Sequence, residues 1–408
     1  MPILHPTRTV PSLQPRYVSR FSCIGSSCED NCCTDWKIGL DKKTYDAYAN
    51  ANPGKIANVV RINPEPRTDA DYGHIVLTGE KKQCPLLEDN LCSIHRDQGE
   101  GDLSHTCFSY PRVWTELAGY GEQSLELSCP EAARLALLAP DAFEFEESSM
   151  TVRPEAVRTV LANPGFTAEA VNEVRYFCIK LMRTQELELW QRLAVLGLFC
   201  ESLNEPVARQ DGQAMVRQIE QFTNLLQDSA LLDSLAPLQP DHAAQAMVFS
   251  LLWEGMPLAA QNTARRRVID AVAAGLGANP VTGMVGDARL VERYREGLSR
   301  LPEALQAAPH LLEHYLLNEL FKNLFPFDGL KPFDSYLRIV TRFGLLRLML
   351  AARCHPSLPL PDAAALAQTV QVHARRFHHN LALIRRVDEA LPSSGWARLD
   401  KLLTLLRT

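Results

Sequence analysis

Cys23-Ile-Gly-Ser-Ser-Cys28-Glu-Asp-Asn-Cys32-Cys33 opens the stretch from which the rest of the chain is best read. Cys84 and Cys92 follow, flanking Pro-Leu-Leu-Glu-Asp-Asn-Leu. Cys107 then precedes Phe-Ser-Tyr-Pro-Arg, and Cys129-Pro130 closes the run. Eight of the eleven cysteines thus fall between residues 23 and 129, with only Cys178, Cys200 and Cys354 beyond. Those three stand alone in apolar helical runs, where cysteine behaves as a small buried hydrophobe. The eight need another account. Cys32 and Cys33 are adjacent, so their side chains diverge, and the Gly, Ser, Asn and Asp between the thiols make a loop that can wrap a small object.

The compartment decides what that object is. The 408 residues carry a net charge of −6, which excludes the basic excess typical of nucleic-acid binding. Met1–Tyr17 shows no basic segment followed by an apolar run, so a secretory signal is not expected. The apolar runs are short and interrupted by charge, as by Arg347 within Leu345–Ala352, so no membrane span is expected. The expected location is the cytoplasm, where thiols stay reduced and dense cysteine points to metal or redox chemistry.

The spacings bear on the metal. Structural zinc usually takes two close cysteine pairs. Here the first group is spaced x4, x3 and x0, and the second x7, x14 and x21. The adjacent pair is awkward around one tetrahedral ion. An iron–sulfur cluster, whose irons lie at separate corners, accepts ligands from several loops at irregular spacing. Iron–sulfur is the leading reading, with one or two zincs or a thiol redox relay as alternatives. The run lacks the C-x3-C-x2-C pattern of radical S-adenosylmethionine enzymes.

The expected fold is mainly α, with an irregular cysteine-rich N-terminal head carrying short β-hairpins on a multi-helix C-terminal body. We expect a metal-chelating domain at 1–140, a linker at 141–166 and a helical domain at 167–408. Met1–Tyr17, with its prolines, reads as an extended arm. Asp41 is a plausible N-cap for a helix over Leu40–Ala51. His74–Leu77 reads as a short strand, Cys84–His95 as a tight hairpin turning at Glu88-Asp89-Asn90, and Val113–Leu117 with Ser124–Leu127 as a second hairpin. A helix starts at Pro130 and runs to about Leu138. Helical period then marks Val174–Met182, Glu186–Leu203, Ala214–Leu226, Ala243–Trp253, Asn262–Leu276 and Asp287–Leu298. Pro237, Pro240, Pro257 and Pro280 punctuate them. Two later helices are expected over His310–Phe325 and over Asp362–Leu391, the latter ended by Pro392. Ala274-Gly275-Leu-Gly277-Ala-Asn-Pro280 reads as a helix C-cap rather than a nucleotide loop, since it follows a helical pattern and not a strand. Arg265–Arg267 reads as a solvated face.

The order C-x4-C-x3-CC, then C-P-L-L-x4-C-x-I-H, then C-x2-Y-P-R, then C-P, resembles the zinc- or iron-chelating cysteine-cluster domain family. The body contains Tyr315-Leu-Leu-Asn318-Glu-Leu-Phe-Lys322-Asn-Leu-Phe-Pro-Phe327 and Gln371-x3-Arg375-x3-His379-Asn380. With it, the chain resembles the flagellin lysine N-methylase family over nearly its whole length. The resemblance implies methyl transfer from S-adenosylmethionine to flagellin lysines and a [4Fe-4S] cluster. Flagellin would be the protein partner, with no nucleic acid or membrane.

Within that reading four of Cys23, Cys28, Cys32, Cys33, Cys84, Cys92, Cys107 and Cys129 ligate the cluster, and Tyr110 and Arg112 lie near it. His314, Asn318, Phe321 and Phe325 share a helix face that is either core or an aromatic pocket wall, where Asn318 would orient the donor or the amine. Tyr110 and Asn318 are the catalytic candidates. Gln371 and Arg375 are the donor-binding candidates, Arg375 as a fork for the donor's carboxylate; the bland reading of their stripe is a solvated flank. The alternative function is a metal-chelating electron-transfer or interaction module without methyl transfer.

Overall fold

In the computed structural model residues 5–407 are described, apart from 52–55, 66, 81, 118, 161–164, 255–261, 280–281 and 380. Met1–Leu4 of the arm, Pro257 and Pro280 between helices, and Asn380 of the C-terminal motif lie outside the described residues.

The largest sheet is built from segments that look least like strands. Arg8–Pro15 pairs antiparallel with Phe145–Val152 along its full length, from Arg8 opposite Val152 to Pro15 opposite Phe145. On its other side it pairs in parallel with Tyr120–Leu125, but only at Ser12 and Leu13. That short ladder begins just past Pro11, which has no N–H to donate. Tyr120–Leu125 forms a hairpin with Arg112–Leu117, and Val157–Val160 pairs in parallel with the latter at the edge. The expected arm and the expected linker at 141–166 therefore supply three of the five strands. Their prolines and acidic residues hid this. Phe145–Val152 buries only Met150 and Val152, which pack with Val10 and Trp114 on one face.

The cysteine-rich region adds two small sheets. Ile38–Leu40, Gly73–Ile75 and Val60–Ile62 form the first, beside the helix Lys42–Ala49, which is capped by Asp41 as expected. Leu87–Glu88 and Leu91–Cys92 form the second. Asp89 and Asn90, with φ of 49° and 60°, make the tight left-handed turn that hairpins of this length prefer.

The rest is helical, and the protein is mainly α. The expected body helices are present, each displaced by a few residues at its ends. Periodicity does not single out Pro332–Arg353. It is buried on nearly every side, so it has no polar face to betray it. Neighbouring helices approach it through glycine. A Cβ on Gly275 or Gly297 would sit 1.9 or 2.0 Å from the carbonyl oxygens of Ala352 and Ala351. Gly277, at φ 71°, ends its helix as a left-handed C-cap, as expected of that glycine pair.

The single helix expected over Asp362–Leu391 is instead two, Ala363–Phe377 and Leu381–Ser394, with Pro392 inside the second. At the break the His378 and His379 side chains join polar groups of the neighbouring sheet and helix, described below.

One apolar core runs from Tyr17, Leu125, Leu127 and the helix Pro130–Leu138 into the body helices. A smaller core of Ile38, Leu40, Tyr48, Ile75, Leu86, Ile94 and Leu103 underlies the cysteines. No described helix is long and apolar enough to cross a membrane.

Candidate metal centre

Seven of the eight clustered thiols line one cavity of about 140 Å³: Cys23, Cys28, Cys32, Cys33, Cys92, Cys107 and Cys129. Cys84 stands behind this wall, buried in the small core. Cys23 and Cys32 are exposed and Cys33 is buried, so the cavity opens at one end.

Local chemistry brings the loops together. Asn90, in the hairpin turn, donates Nδ2 to the Ser26 and Cys28 carbonyls at 2.7 and 3.0 Å. Its Oδ1 accepts from Asn31 at 2.7 Å, and the Asn31 Oδ1 accepts from the Cys33 amide at 3.1 Å. The Cys84 amide donates to the Cys33 carbonyl at 2.8 Å. Trp36 Nε1 donates to the Cys32 carbonyl. Ser104 caps the short helix that presents Cys107, and Cys129 is the N-cap of Pro130–Leu138.

The thiols are electrostatically unequal. The Cys33 thiol has one proton to share, and donating it to either neighbour favours the thiolate there, taking Cys32 down to about 7 or Cys92 down to about 6. Cys33, as shared donor, is pushed far up by the same bonds. Burial raises Cys28 to about 12 and Cys129 to about 11, and raises Cys107 also. The cavity thus holds a thiol pair of which one member at a time is favoured as the thiolate, the form that binds metal.

The helical body braces the loops from behind. Gln371 donates Nε2 to Asp30 Oδ2 at 2.9 Å and to the Ser128 carbonyl at 2.8 Å, bridging the Cys28–Cys32 loop to the Cys129 segment. Arg375 donates Nη2 to the Thr34 carbonyl at 2.6 Å and lies over Trp36. Its buried Nη1 has no well-directed partner, although the Tyr110 hydroxyl is close enough to favour the charge. Both residues are buried, so their stripe is not a solvated flank.

Arg265 is likewise buried and no solvated face. It ion-pairs with Asp30 and with Asp35, each at 3.0 Å, and donates to Thr34. Asp30, Arg265, Trp36 and Ser128 escaped sequence reasoning. An aspartate between two cysteines was the one available signal, since a carboxylate in a buried loop needs a cation.

Tyr110 and Arg112 line the cavity, as expected. The Tyr110 hydroxyl is 3.0 Å from Ser128 Oγ, which is 2.8 Å from His379 Nε2. Burial pushes Tyr110 well up and His379 down to about 4.

Asn318 lies elsewhere. It is fully buried, accepting from the Tyr17 hydroxyl at 2.6 Å and donating to the Leu125 carbonyl at 3.3 Å, and so ties its helix to the sheet. From the same helix Phe321 does line a pocket, a separate groove of about 570 Å³ bounded by Leu117, Tyr120, Tyr176 and the Arg175–Glu122 pair.

Beside the helix break, Lys322 donates to Glu319 at 2.7 Å and Glu126 at 3.0 Å, and Arg342 donates to Glu319 at 3.1 Å. His378 Nδ1 stands 3.4 Å from Lys322 Nζ. Burial alone would raise both carboxyls. For Glu126, Lys322 and the His378 hydrogen bond outweigh it and hold the group well below the usual range; for Glu319, His378, Lys322 and Arg342 bring it to about 2.

Comparison with known proteins places this architecture. No solved structure matches the chain. It is 25% identical to a lysine-N-methylase of Salmonella typhimurium and 26% identical to that of Salmonella choleraesuis, in each case over 92% of this chain and 96% of the relative. It is 36% identical to the flagellar biosynthetic protein FliU of Salmonella muenchen over 36% of this chain and 88% of that protein. Residues 175–405, more than half of the chain, match the FliB lysine N-methylase C-terminal domain, and the chain belongs to that family.

Proposed function

We propose that the protein is an S-adenosylmethionine-dependent lysine N-methyltransferase acting in the cytoplasm on flagellin, with a [4Fe-4S] cluster in the cysteine-walled cavity. One observation carries the cluster: seven thiols from four separate chain segments converge on one small space. Zn–S bonds of about 2.3 Å require thiolates roughly 3.8 Å apart around one tetrahedral zinc. Among the described residues no three thiols stand within 4.8 Å of one another. Wider separation suits an object with several metal corners. Four of the seven would hold it, with Cys32 and Cys92 the readiest to ionise. Bound there, a cluster would supply a charged metal–sulfur face and cross-links between loops.

The chain's own residues supply the rest. A lysine ammonium must lose a proton before its nitrogen has a lone pair to give. The nitrogen then bonds to the sulfonium methyl carbon, and the carbon–sulfur bond breaks with its electron pair going to sulfur. Tyr110, on the cavity wall, begins a hydrogen-bonded line through Ser128 to neutral His379 that can hold or pass a proton. The Nη1 of Arg375 is a fixed cation for the donor's carboxylate.

Anaerobic purification should give brown protein containing iron, and S-adenosylmethionine should add whole methyl increments to flagellin lysines by mass. Cys32→Ser or Cys33→Ser should lower iron content several-fold, whereas Cys354→Ser should leave it unchanged. Colourless protein with stoichiometric zinc overturns the cluster. Intact cluster without methyl transfer to flagellin leaves a metal-chelating module instead.

A further inference from the structure

His5, Asp41 and His105 meet where the N-terminal segment passes the start of the helix Lys42–Ala49. Their ligand atoms all lie within 4.8 Å of one another, and no other His, Cys, Asp or Glu triple among the described residues comes as close. His5 Nε2 is 3.9 Å and His105 Nε2 3.6 Å from Asp41 Oδ2, with the two rings 4.3 Å apart. The carboxylate is buried and the imidazoles largely enclosed.

Ordinary hydrogen bonding explains only part of this. Asp41 Oδ1 caps the Thr44 amide at 2.9 Å, and the Thr44 hydroxyl links Asp41 Oδ2, at 2.5 Å, to His5 Nε2, at 2.9 Å. His105 is left over. Its Nε2 is too far from Asp41 for a hydrogen bond, and its buried Nδ1 has no partner. Two imidazoles and a carboxylate are a borderline-cation donor set, and bonds near 2.0–2.2 Å would set the ligand atoms about 3.3 Å apart. The two distances to Asp41, 3.9 and 3.6 Å, exceed that by about 0.6 and 0.3 Å, within reach of side-chain rotation.

We propose that His5, Asp41 and His105 form a second, thiol-free site for a divalent borderline cation, with zinc the fitting example and water completing its shell. Such an ion would staple three segments. His5 leads into the strand Arg8–Pro15, Asp41 caps Lys42–Ala49, and His105 begins the helix that carries Cys107. Arg153 donates to the Leu103 and Gly101 carbonyls rather than to Asp41, although its charge is near enough to be felt by all three ligands.

The full-length protein, purified anaerobically, would be incubated with zinc sulfate, desalted and analysed for zinc and iron beside His5→Gln and Asp41→Asn. Asn also caps helices, so Asp41→Asn keeps the fold's cap while removing the charged ligand. Wild type should retain about one more zinc per chain than either variant, with iron equal in all three. The difference should persist in Cys32→Ser, which tests the cysteine cavity separately. Zinc should also raise the melting temperature of wild type and not of the variants. Equal zinc in wild type and both variants, or none above background in wild type, overturns the site and leaves a histidine–carboxylate contact only.

Discussion

At the scale of single residues, the centre turns on Cys33, whose one thiol proton can serve either Cys32 or Cys92 and so favours the thiolate of the one it serves. In the metal-free chain Cys32 should alkylate with a midpoint near pH 7, below the roughly 8.5 of an ordinary thiol. Cys28 and Cys129, raised by burial, should stay unmodified until strongly alkaline pH. Cys33→Ala should move the Cys32 midpoint upward by about one unit or more. Mass spectrometry of peptides alkylated across a pH series checks this, and an unmoved midpoint refutes the shared-donor account. The cysteine cluster itself was plain in the sequence because cysteine is scarce. Its inequality was not, since a thiol's acidity depends on which neighbour donates to it, and Cys33 and Cys92 are joined only by the fold. Arg265 and Asp30 were hidden for the same reason, each looking like a surface charge until paired.

At the scale of elements, the helix break at His378–His379 carries a pH dependence. Burial lowers both imidazoles and the buried His373 beside them. The unfolded chain takes up protons below about pH 6.5 that the folded chain refuses, so stability falls from there until the folded values are passed, about 4 for His379. That histidine alone corresponds to a loss on the order of 3 kcal/mol. Glu319, depressed to about 2, adds a further loss below the ordinary glutamate range. Urea denaturation at pH 7, 5.5 and 4.5 should show the midpoint falling stepwise, and His379→Gln should flatten the first step. A flat profile in wild type would refute the assignment. Amphipathic helices were readable from their stripes. The break was not, because Phe377 and Leu381 continue the helical period straight across it. The central helix Pro332–Arg353 was obscured for the opposite reason, having no exposed face to create a period.

At the scale of the whole molecule, the cysteine region and the helical body are joined by structure rather than by a tether. The strand Phe145–Val152 lies along Arg8–Pro15, and Tyr17 shares a core with body helices. A chain truncated to residues 167–408 would expose the surface that packs on the helix Pro130–Leu138, and it should elute as aggregate on gel filtration. A monodisperse, cooperatively melting fragment would show that the body folds alone. The mainly helical class was evident from the sequence. The mixed sheet was not, because its partners are far apart and one of its interior strands, Arg8–Pro15, contains two prolines.

That arrangement sets an order in time. The cysteine loop emerges early in synthesis, but Gln371 and Arg375, which hold it to the helical body, emerge some 340 residues later. At ribosomal rates of about 5–20 residues per second, the gap is on the order of half a minute. For that interval the loop lacks the hydrogen bonds that hold it in the finished protein. The last helices therefore act as a clasp, fixing a loop that is free to rearrange until they arrive.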